Sequence, residues 1–238
     1  MNREATLSNL LSQTFAEIGA NTQLIGIYLA VTIPLSAVGY FFQGGDTTIS
    51  GFDFGFGVGE NLLALGALAV VVVLAVVIAA IVLQFWLYAG MVRRTTALDL
   101  NRFWPWIGIY ILTMLGILFG LVFLIVPGVI LAIRWLIALP LVIEGRLPAM
   151  DTFGASWEMT RGRSWSIFGA GLILLIIKMV IGGILGGSTL LFGGTASIGA
   201  AVVSAISEAI STIIFAAFAV GAYRLLRDDA GELAEVFE

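Results

Sequence analysis

The sequence predicts an all-α, polytopic membrane protein with six transmembrane helices and a cytoplasmic N-terminal amphipathic helix. Hydrophobic residues make up 60% of the 238 residues and charged residues only 11%, whereas about a quarter of the residues in soluble domains are charged. Several uncharged stretches exceed the roughly 20 apolar residues that a spanning helix needs. The loops between these stretches carry their basic residues on one predicted side. Together these observations predict a single membrane domain over residues 1–238.

The absent residue types exclude several classes of site. The chain contains no cysteine and no histidine. This excludes disulfides, zinc sites built from Cys and His, haem ligation by His, thiol nucleophiles and His-based catalytic triads. The sequence therefore predicts no catalytic residue, no metal site, no cofactor and no nucleic-acid partner.

The first twenty residues predict an interfacial amphipathic helix. Five apolar side chains share one helical face, and the polar residues, Glu17 among them, lie elsewhere. The apolar positions are Leu7, Leu10, Leu11, Phe15 and Ile18. Two alternatives remain open: the helix lies on the cytoplasmic membrane surface, or it packs against the ends of the protein's own helices.

The uncharged runs define the six spans. Between Trp104 and Ile143 there are 40 residues in which Arg134 is the only charge. At 1.5 Å per residue this is roughly 60 Å of helix, about twice the hydrocarbon thickness, so the chain must fold back once. Pro127-Gly128 is the predicted turn, because proline breaks helices and glycine accepts turn geometry. The predicted spans are about 22–42, 61–91, 105–126, 128–143, 165–187 and 197–223, followed by an acidic cytoplasmic tail at 224–238 that we expect to be solvated and partly disordered.

The orientation follows from the basic residues. An even number of spans puts both termini on one side, together with loops 92–104 and 144–164. That side holds nine arginines, and the opposite segments, 43–60, 127–128 and 188–196, hold no Lys or Arg. The nine are Arg3, Arg93, Arg94, Arg102, Arg146, Arg161, Arg163, Arg224 and Arg227. The positive-inside rule therefore predicts that both termini are cytoplasmic.

Three ionisable residues fall inside the predicted spans: Arg134, Lys178 and Glu208. A charge in lipid is costly, so each is expected to face protein or water and to have a partner. Counting helix rise from the predicted outer ends places all three in the outer half of the bilayer, where they can form one buried charge cluster. Two alternatives remain open for it: an ion pair that joins spans four, five and six, or a basic pocket for an anionic ligand such as a lipid phosphate.

Two further features concern partners. The loop 144–164 predicts a second amphipathic helix, and its interfacial arginines, Arg146, Arg161 and Arg163, suit phosphate head groups; a plain connector resting on the membrane also fits. Glycines four residues apart allow close helix approach, either within the bundle or in a homo-oligomer or with a protein partner. These glycines are Gly116 with Gly120, Gly182 with Gly186, and Gly183 with Gly187.

A resemblance to a known family is carried by PGVILAIRWLIALPLVIEG, residues 127–145, and AMDTFGASWEMTRGRSWSIFG, residues 149–169. The matching positions are Pro127, Gly128, Arg134, Trp135, Pro140, Glu144, Ser156, Trp157, Thr160, Gly162 and Trp165. Their order and spacing resemble the signature of the glycerophosphoryl diester phosphodiesterase membrane-domain superfamily of six-helix bacterial inner-membrane proteins. The resemblance implies a fold and a multi-pass location in the bacterial inner membrane. It implies no reaction, because catalysis in that family belongs to a separate soluble domain.

Three functions are weighed from the sequence. The favoured one is a non-enzymatic inner-membrane protein that binds membrane lipid or supports envelope homeostasis, alone or through a partner. The alternative is a transporter or channel for a small, anionic substrate, which buried charges and broken helices would permit. An intramembrane hydrolase would need paired carboxylates or a Ser–Lys arrangement around Lys178, and no spacing selects one serine.

Overall fold

The structure is a computed structural model that describes residues 5–42, 67–188 and 197–236. The described residues form helices joined by turns, which confirms the predicted all-α class. The helices are α1 (Leu7–Ala20), α2 (Thr22–Phe42), α3 (Ala67–Arg93), α4 (Phe103–Phe123), α5 (Ile125–Arg134), α6 (Ala138–Glu144), α7 (Asp151–Met159), α8 (Ser164–Ser188) and α9 (Ile198–Val236). The predicted outer segment 43–60 and residues 189–196 lie outside the described part.

Five segments of the described chain are long and apolar enough to cross a membrane, so this is a multi-pass membrane protein. They are Val70–Arg93, Phe103–Phe123, Ile125–Glu144, Ser164–Ser188 and Ile198–Asp228. A sixth is counted if the bent pair formed by Leu7–Ala20 and Thr22–Val38 is one span. The count is therefore five or six, beside the predicted six.

The described residues fall into two compact units. The first lies within Met1–Leu24, Phe85–Ile173 and Ile214–Glu238, and the second within Ile25–Gln84 and Leu174–Ile213. We call them unit 1 and unit 2. In unit 2, Val73 is buried against Val70 and Val77. Unit 1 contains the charged networks described below.

A close hairpin joins α4 and α5 in unit 1. Its turn is at Leu124, whose backbone is extended (φ −157°, ψ 131°), and not at Pro127-Gly128 as predicted. Pro127 instead occupies the first turn of α5, where its missing N–H leaves no helical hydrogen bond unmade. Gly128 faces Gly120: a Cβ on Gly120 would lie 2.7 Å from the Gly128 Cα. Both signature residues, Pro127 and Gly128, therefore lie within the hairpin. The observed turn is three residues before the predicted one.

The fourth predicted span is broken into two helices. Residues 135–137 form turns between α5 and α6, which the sequence prediction of one helix did not include. Pro140 explains the break, because its ring would clash with the carbonyl of Leu136 if the helix continued. In the observed arrangement Pro140 falls in the first turn of α6, where proline is tolerated. The break leaves the carbonyl of Arg134 available to a partner outside the helix.

Helix α1 forms as predicted, and Thr6 caps it by accepting a hydrogen bond from the Asn9 N–H at 3.4 Å. It buries Leu10, Thr14 and Glu17, whereas Phe15, on the predicted apolar face, is 54% exposed. Helix α9 approaches it at Gly221, where an added Cβ would lie 3.3 Å from the Thr14 backbone nitrogen. Of the two alternatives, packing against the protein's own helices is therefore observed.

The predicted C-terminal tail is helical as far as Val236, where partial disorder was expected. Helix α9 runs without interruption from Ile198 to Val236, through most of the predicted 224–238 tail. The segment AGELAEV is rich in alanine, leucine and glutamate, which favour helix. A helix already fixed by the span needs no new nucleation to continue into such a sequence.

Candidate functional site

The signature arginine forms a reciprocal contact between α5 and α7. The carbonyl oxygen of Arg134, left free by the helix break, accepts a hydrogen bond from the Ser156 hydroxyl at 2.6 Å. In return Arg134 Nη1 donates to the Trp157 carbonyl oxygen at 3.2 Å, and its guanidinium carbon lies 5.0 Å from the centroid of the Trp157 ring. We call this contact the α5–α7 clamp. Among the described residues, the contacts that satisfy this cation come from a backbone carbonyl and an aromatic ring.

Neighbouring signature residues support the clamp. The Trp135 ring lies 4.7 Å from the Phe153 ring, and a Cβ on Gly116 would come within 2.2 Å of it. The Thr160 hydroxyl donates to the Ser156 carbonyl at 2.8 Å. Gly162 follows with φ +84°, a left-handed conformation that glycine accepts without strain. The signature positions Trp135, Ser156, Thr160 and Gly162 therefore fix the place of α7.

The other two intramembrane charges lie in unit 2. There Glu208, in α9, experiences the positive charge of Lys178, in α8. Arg134 belongs to unit 1. The structure thus places Lys178 and Glu208 together within one unit, and the three-residue cluster with Arg134 stays a prediction.

Glu144, the last signature residue of α6, is held by three donors. Its carboxylate accepts hydrogen bonds from the Tyr223 hydroxyl and from Arg227 Nη1 at 3.0 Å, and Arg146 Nε lies 3.0 Å away. A carboxylate at a helix C-terminus is opposed by the helix dipole. The two arginines compensate for this, and Arg227, together with Tyr223, ties α6 to α9.

A second carboxylate, Glu17 of α1, is only 1% exposed. Its Oε1 lies 3.3 Å from Arg224 Nε and 3.5 Å from Arg94 Nη2. Asn21 Nδ2 donates to the other oxygen at 3.4 Å, and Gln13 Nε2 donates to Oε1 at 3.3 Å. The sequence assigned Glu17 to a polar face and missed this role. Only the juxtaposition of α1, α3 and α9 could reveal it.

An open cavity of about 350 Å³ lies between these networks, at the ends of α3 and α6 and beside residues 223–227 of α9. We call it the arginine pocket. Its polar lining consists of Arg93, Arg94, Arg224, Arg227, Glu144 and Tyr223. Guanidinium groups stay charged at any physiological pH and form paired hydrogen bonds with phosphate or carboxylate oxygens. The lining is therefore suited to an anion.

A comparison with known protein families gives a match that includes the residues of the α5–α7 clamp. The family model described as the membrane domain of glycerophosphoryl diester phosphodiesterase matches residues 105–229, just over half of the chain. The chain belongs to this family. The match confirms the resemblance inferred from the signature, and it concerns the membrane domain and not a catalytic domain. No curated protein and no solved structure matches the chain.

The described charges around the pocket are not evenly balanced. Five arginines meet there, the four of the lining and Arg146, together with four carboxylates. The carboxylates are Glu17, Glu144, Asp99, whose Oδ2 lies 2.5 Å from Arg93 Nη1, and Asp228, whose charge reaches Arg224 and Arg227. In the part of the chain that the structure describes, one positive charge therefore remains in surplus.

The predicted interfacial and close-packing residues have different surroundings. Arg161 and Trp165 are exposed, Trp165 to 85%, beside the clamp helix α7. Gly116 and Gly120 are used within unit 1 against Trp135 and Gly128. Gly183 and Gly187 have no described atom within 4 Å of an added Cβ, whereas one on Gly182 would lie 3.8 Å from the Ser207 hydroxyl. Use of the α8 glycines by a partner or a second copy stays a prediction.

Proposed function

We propose that the protein is a non-enzymatic, multi-pass protein of the bacterial inner membrane that binds anionic lipid through the arginine pocket. The observation that carries this proposal is the pocket lining, in which four arginines meet one glutamate. Anionic head groups attract clustered arginines at a membrane surface, each contributing about 1 kcal/mol. By this binding the protein supports membrane homeostasis, alone or with a partner.

The proposed topology supports the location of the pocket. Its four arginines belong to the group of nine that the positive-inside rule assigns to the cytoplasmic side, with both termini. Since the chain has no cysteine, single cysteines can be introduced and labelled without background. We expect a membrane-impermeant thiol reagent to label Thr195→Cys in intact cells and Ala97→Cys only after the membrane is opened. The reverse pattern would reject this topology.

Lipid retention tests the function. We expect wild-type protein purified in mild detergent to retain phosphatidylglycerol in preference to phosphatidylethanolamine. The double variant Arg93→Gln/Arg227→Gln removes two pocket charges whose side chains are 24% and 48% exposed, so it should fold and lose that preference. The variant Arg161→Gln/Arg163→Gln removes the same charge from the predicted interfacial loop, and a loss of the preference in this variant alone would assign lipid binding to the loop and not to the pocket. Equal retention by all three proteins would reject lipid binding at the pocket.

A second candidate function, transport of a small polar or anionic substrate, is favoured by unit 2. There Lys178 and Glu208 interact inside the spans, and the Tyr28 hydroxyl lies beside Thr212. Ionisable residues at membrane depth mark substrate or ion paths in many membrane proteins. Flux into liposomes that Glu208→Gln abolishes would support it; the absence of flux across an ion and metabolite panel would reject it.

A further inference from the structure

Two arginines have left-handed backbones, which side chains with a Cβ rarely adopt. They are Arg94, with φ 52°, and Arg102, with φ 73°. They are the only non-glycine residues with positive φ in the described chain. Such strain persists only where the surroundings demand it, and it is concentrated at functional sites. The two arginines differ in what their side chains do.

Arg102 has a protein partner that accounts for its conformation. Its Nη2 donates to the Gly145 carbonyl oxygen at 2.7 Å, joining the start of α4 to the end of α6. The bond is short and well placed, and a charged donor strengthens it. The strain at Arg102 is therefore explained by the fold.

Arg94 occupies the position after α3 where helices commonly place glycine. The Thr95 N–H donates back to the Gly90 carbonyl oxygen at 3.1 Å, the closing hydrogen bond of a Schellman turn. Glycine would make this turn without strain. The side chain of Arg94 must therefore supply something that glycine lacks.

The ion pair that Arg94 makes with Glu17 is weak. The distance is 3.5 Å and the Arg94 side chain is 55% exposed, conditions under which ion pairs contribute little. Arg224 lies nearer the same carboxylate oxygen, at 3.3 Å, and the positive charges of the two arginines oppose each other. Two guanidinium groups thus converge on one Oε1, and a second anion beside them would relieve their repulsion.

We propose that Arg94 is a ligand-binding residue, strained so that its guanidinium, together with Arg224, binds a phosphate group in the arginine pocket. This inference rests on the proposed lipid-binding function and assigns it a chemical group and two residues. Glu17 is the internal counter-ion within 3.5 Å of both guanidinium groups. Among the described charges around the pocket one positive charge is in surplus, which matches one anionic group. A cavity of about 350 Å³ holds a head group and leaves acyl chains outside.

The test separates ligand recognition from structural support. Full-length protein in detergent micelles is titrated with phosphatidylglycerol, phosphatidylcholine or inorganic phosphate, and binding is followed by native mass spectrometry and by the melting temperature. Arg94→Gly should melt at the wild-type temperature or higher without lipid, because the turn is relieved. Its affinity for phosphatidylglycerol should fall about tenfold, the effect of one charged hydrogen-bond donor.

Two variants complete the design. Arg94→Lys keeps the charge and should retain part of the affinity that Arg94→Gly loses. Arg161→Gln removes one charge from the predicted interfacial loop 144–164, and a loss of affinity as large as that of Arg94→Gly would assign head-group binding to that loop and not to Arg94. Displacement of phosphatidylglycerol by millimolar inorganic phosphate would assign the site to phosphate on any carrier. Resistance to displacement would assign it to the lipid head group.

Two results would overturn the inference. One is Arg94→Gly binding phosphatidylglycerol as tightly as wild type while wild type still prefers it over phosphatidylcholine; lipid binding would then stand without Arg94. The other is a lower melting temperature of lipid-free Arg94→Gly, which would make its role structural. If wild type shows no preference among the lipids and no binding of phosphate, the proposed function itself fails.

Discussion

The α5–α7 clamp and the arginine pocket use the same residue type in opposite ways. In the clamp, one arginine has fixed neutral partners: the Trp157 carbonyl oxygen and the Trp157 ring. In the pocket, four arginines share carboxylates, and Glu17 Oε1 serves two of them. Arginine satisfied by backbone and aromatic groups is structural. Arginines that compete for too few carboxylates remain available to a ligand.

The comparison predicts that removing a shared carboxylate has the largest effect. Glu17→Gln should lower the free energy of unfolding in mixed micelles by about 3 to 5 kcal/mol, the cost of leaving buried charge uncompensated. Arg224, whose side chain is only 18% exposed, would lose its counter-ion. The control Glu158→Gln alters an exposed carboxylate on α7 and should leave stability unchanged. Equal effects of the two variants would show that the pocket is not held by charge.

The stability of the α4–α5 hairpin, beside the clamp, should depend on side-chain volume and not on salt concentration. Gly120→Ala would place a methyl group 2.7 Å from the Gly128 Cα, so the two backbones must separate at a cost of about 2 kcal/mol. Gly183→Ala is the matched control, since no described atom lies within 4 Å of its Cβ. It should be neutral, or stabilising by up to about 1 kcal/mol. If Gly183→Ala lowers the stability instead, a partner must contact that face of α8.

The clamp itself should depend on one hydroxyl. Ser156→Ala removes the donor to the Arg134 carbonyl oxygen, which the helix break leaves without an intrahelical partner. We expect stability to fall by about 1 to 2 kcal/mol, the cost of an unsatisfied carbonyl. Ser156→Thr, which retains the hydroxyl, is the control. If Ser156→Ala matches wild type, another donor must satisfy the carbonyl.

The smallest effect is expected at an exposed pocket arginine. Arg227→Gln should cost less than about 1 kcal/mol, because its side chain is 48% exposed and Arg146 still contacts Glu144. That cost should shrink further at high ionic strength, whereas the cost of Ser156→Ala should not. Unfolding measured at low and high salt separates the two. Identical salt dependence would remove the distinction between clamp and pocket.

The sequence was sufficient for the all-α membrane class and the family, because long apolar runs and a spaced signature are local properties. The position of Arg134 in a span was found, but its partner Trp157 was not, since the helix break that frees the Arg134 carbonyl depends on Pro140. The turn lies at Leu124 and not at Pro127-Gly128 for a similar reason. Pro127 was expected to end a helix, but it lies in the first turn of α5. The sequence feature that predicted a fold-back in this region is the uncharged run on both sides of Pro127.

The pocket could not be derived from the sequence. Glu17, Arg94 and Arg224 are far apart along the chain, and no spacing relates them. Glu144 belonged to the signature without an assigned role, and its partner Tyr223 is 79 residues away. Charge counting predicts which side of the protein is basic, whereas the pairing of charges depends on how helices pack. A left-handed arginine leaves no trace in composition or periodicity.

The apolar turn of the α4–α5 hairpin has a consequence for biosynthesis. Leu124, Ile125 and Val126 are 66%, 72% and 68% exposed and carry no polar side chain. A loop without charges can be moved through a bilayer without the cost that ionised groups impose. The hairpin can therefore enter the membrane as a preformed helical pair. We expect its insertion to be independent of the transmembrane voltage, in contrast to hairpins whose loops bear charge.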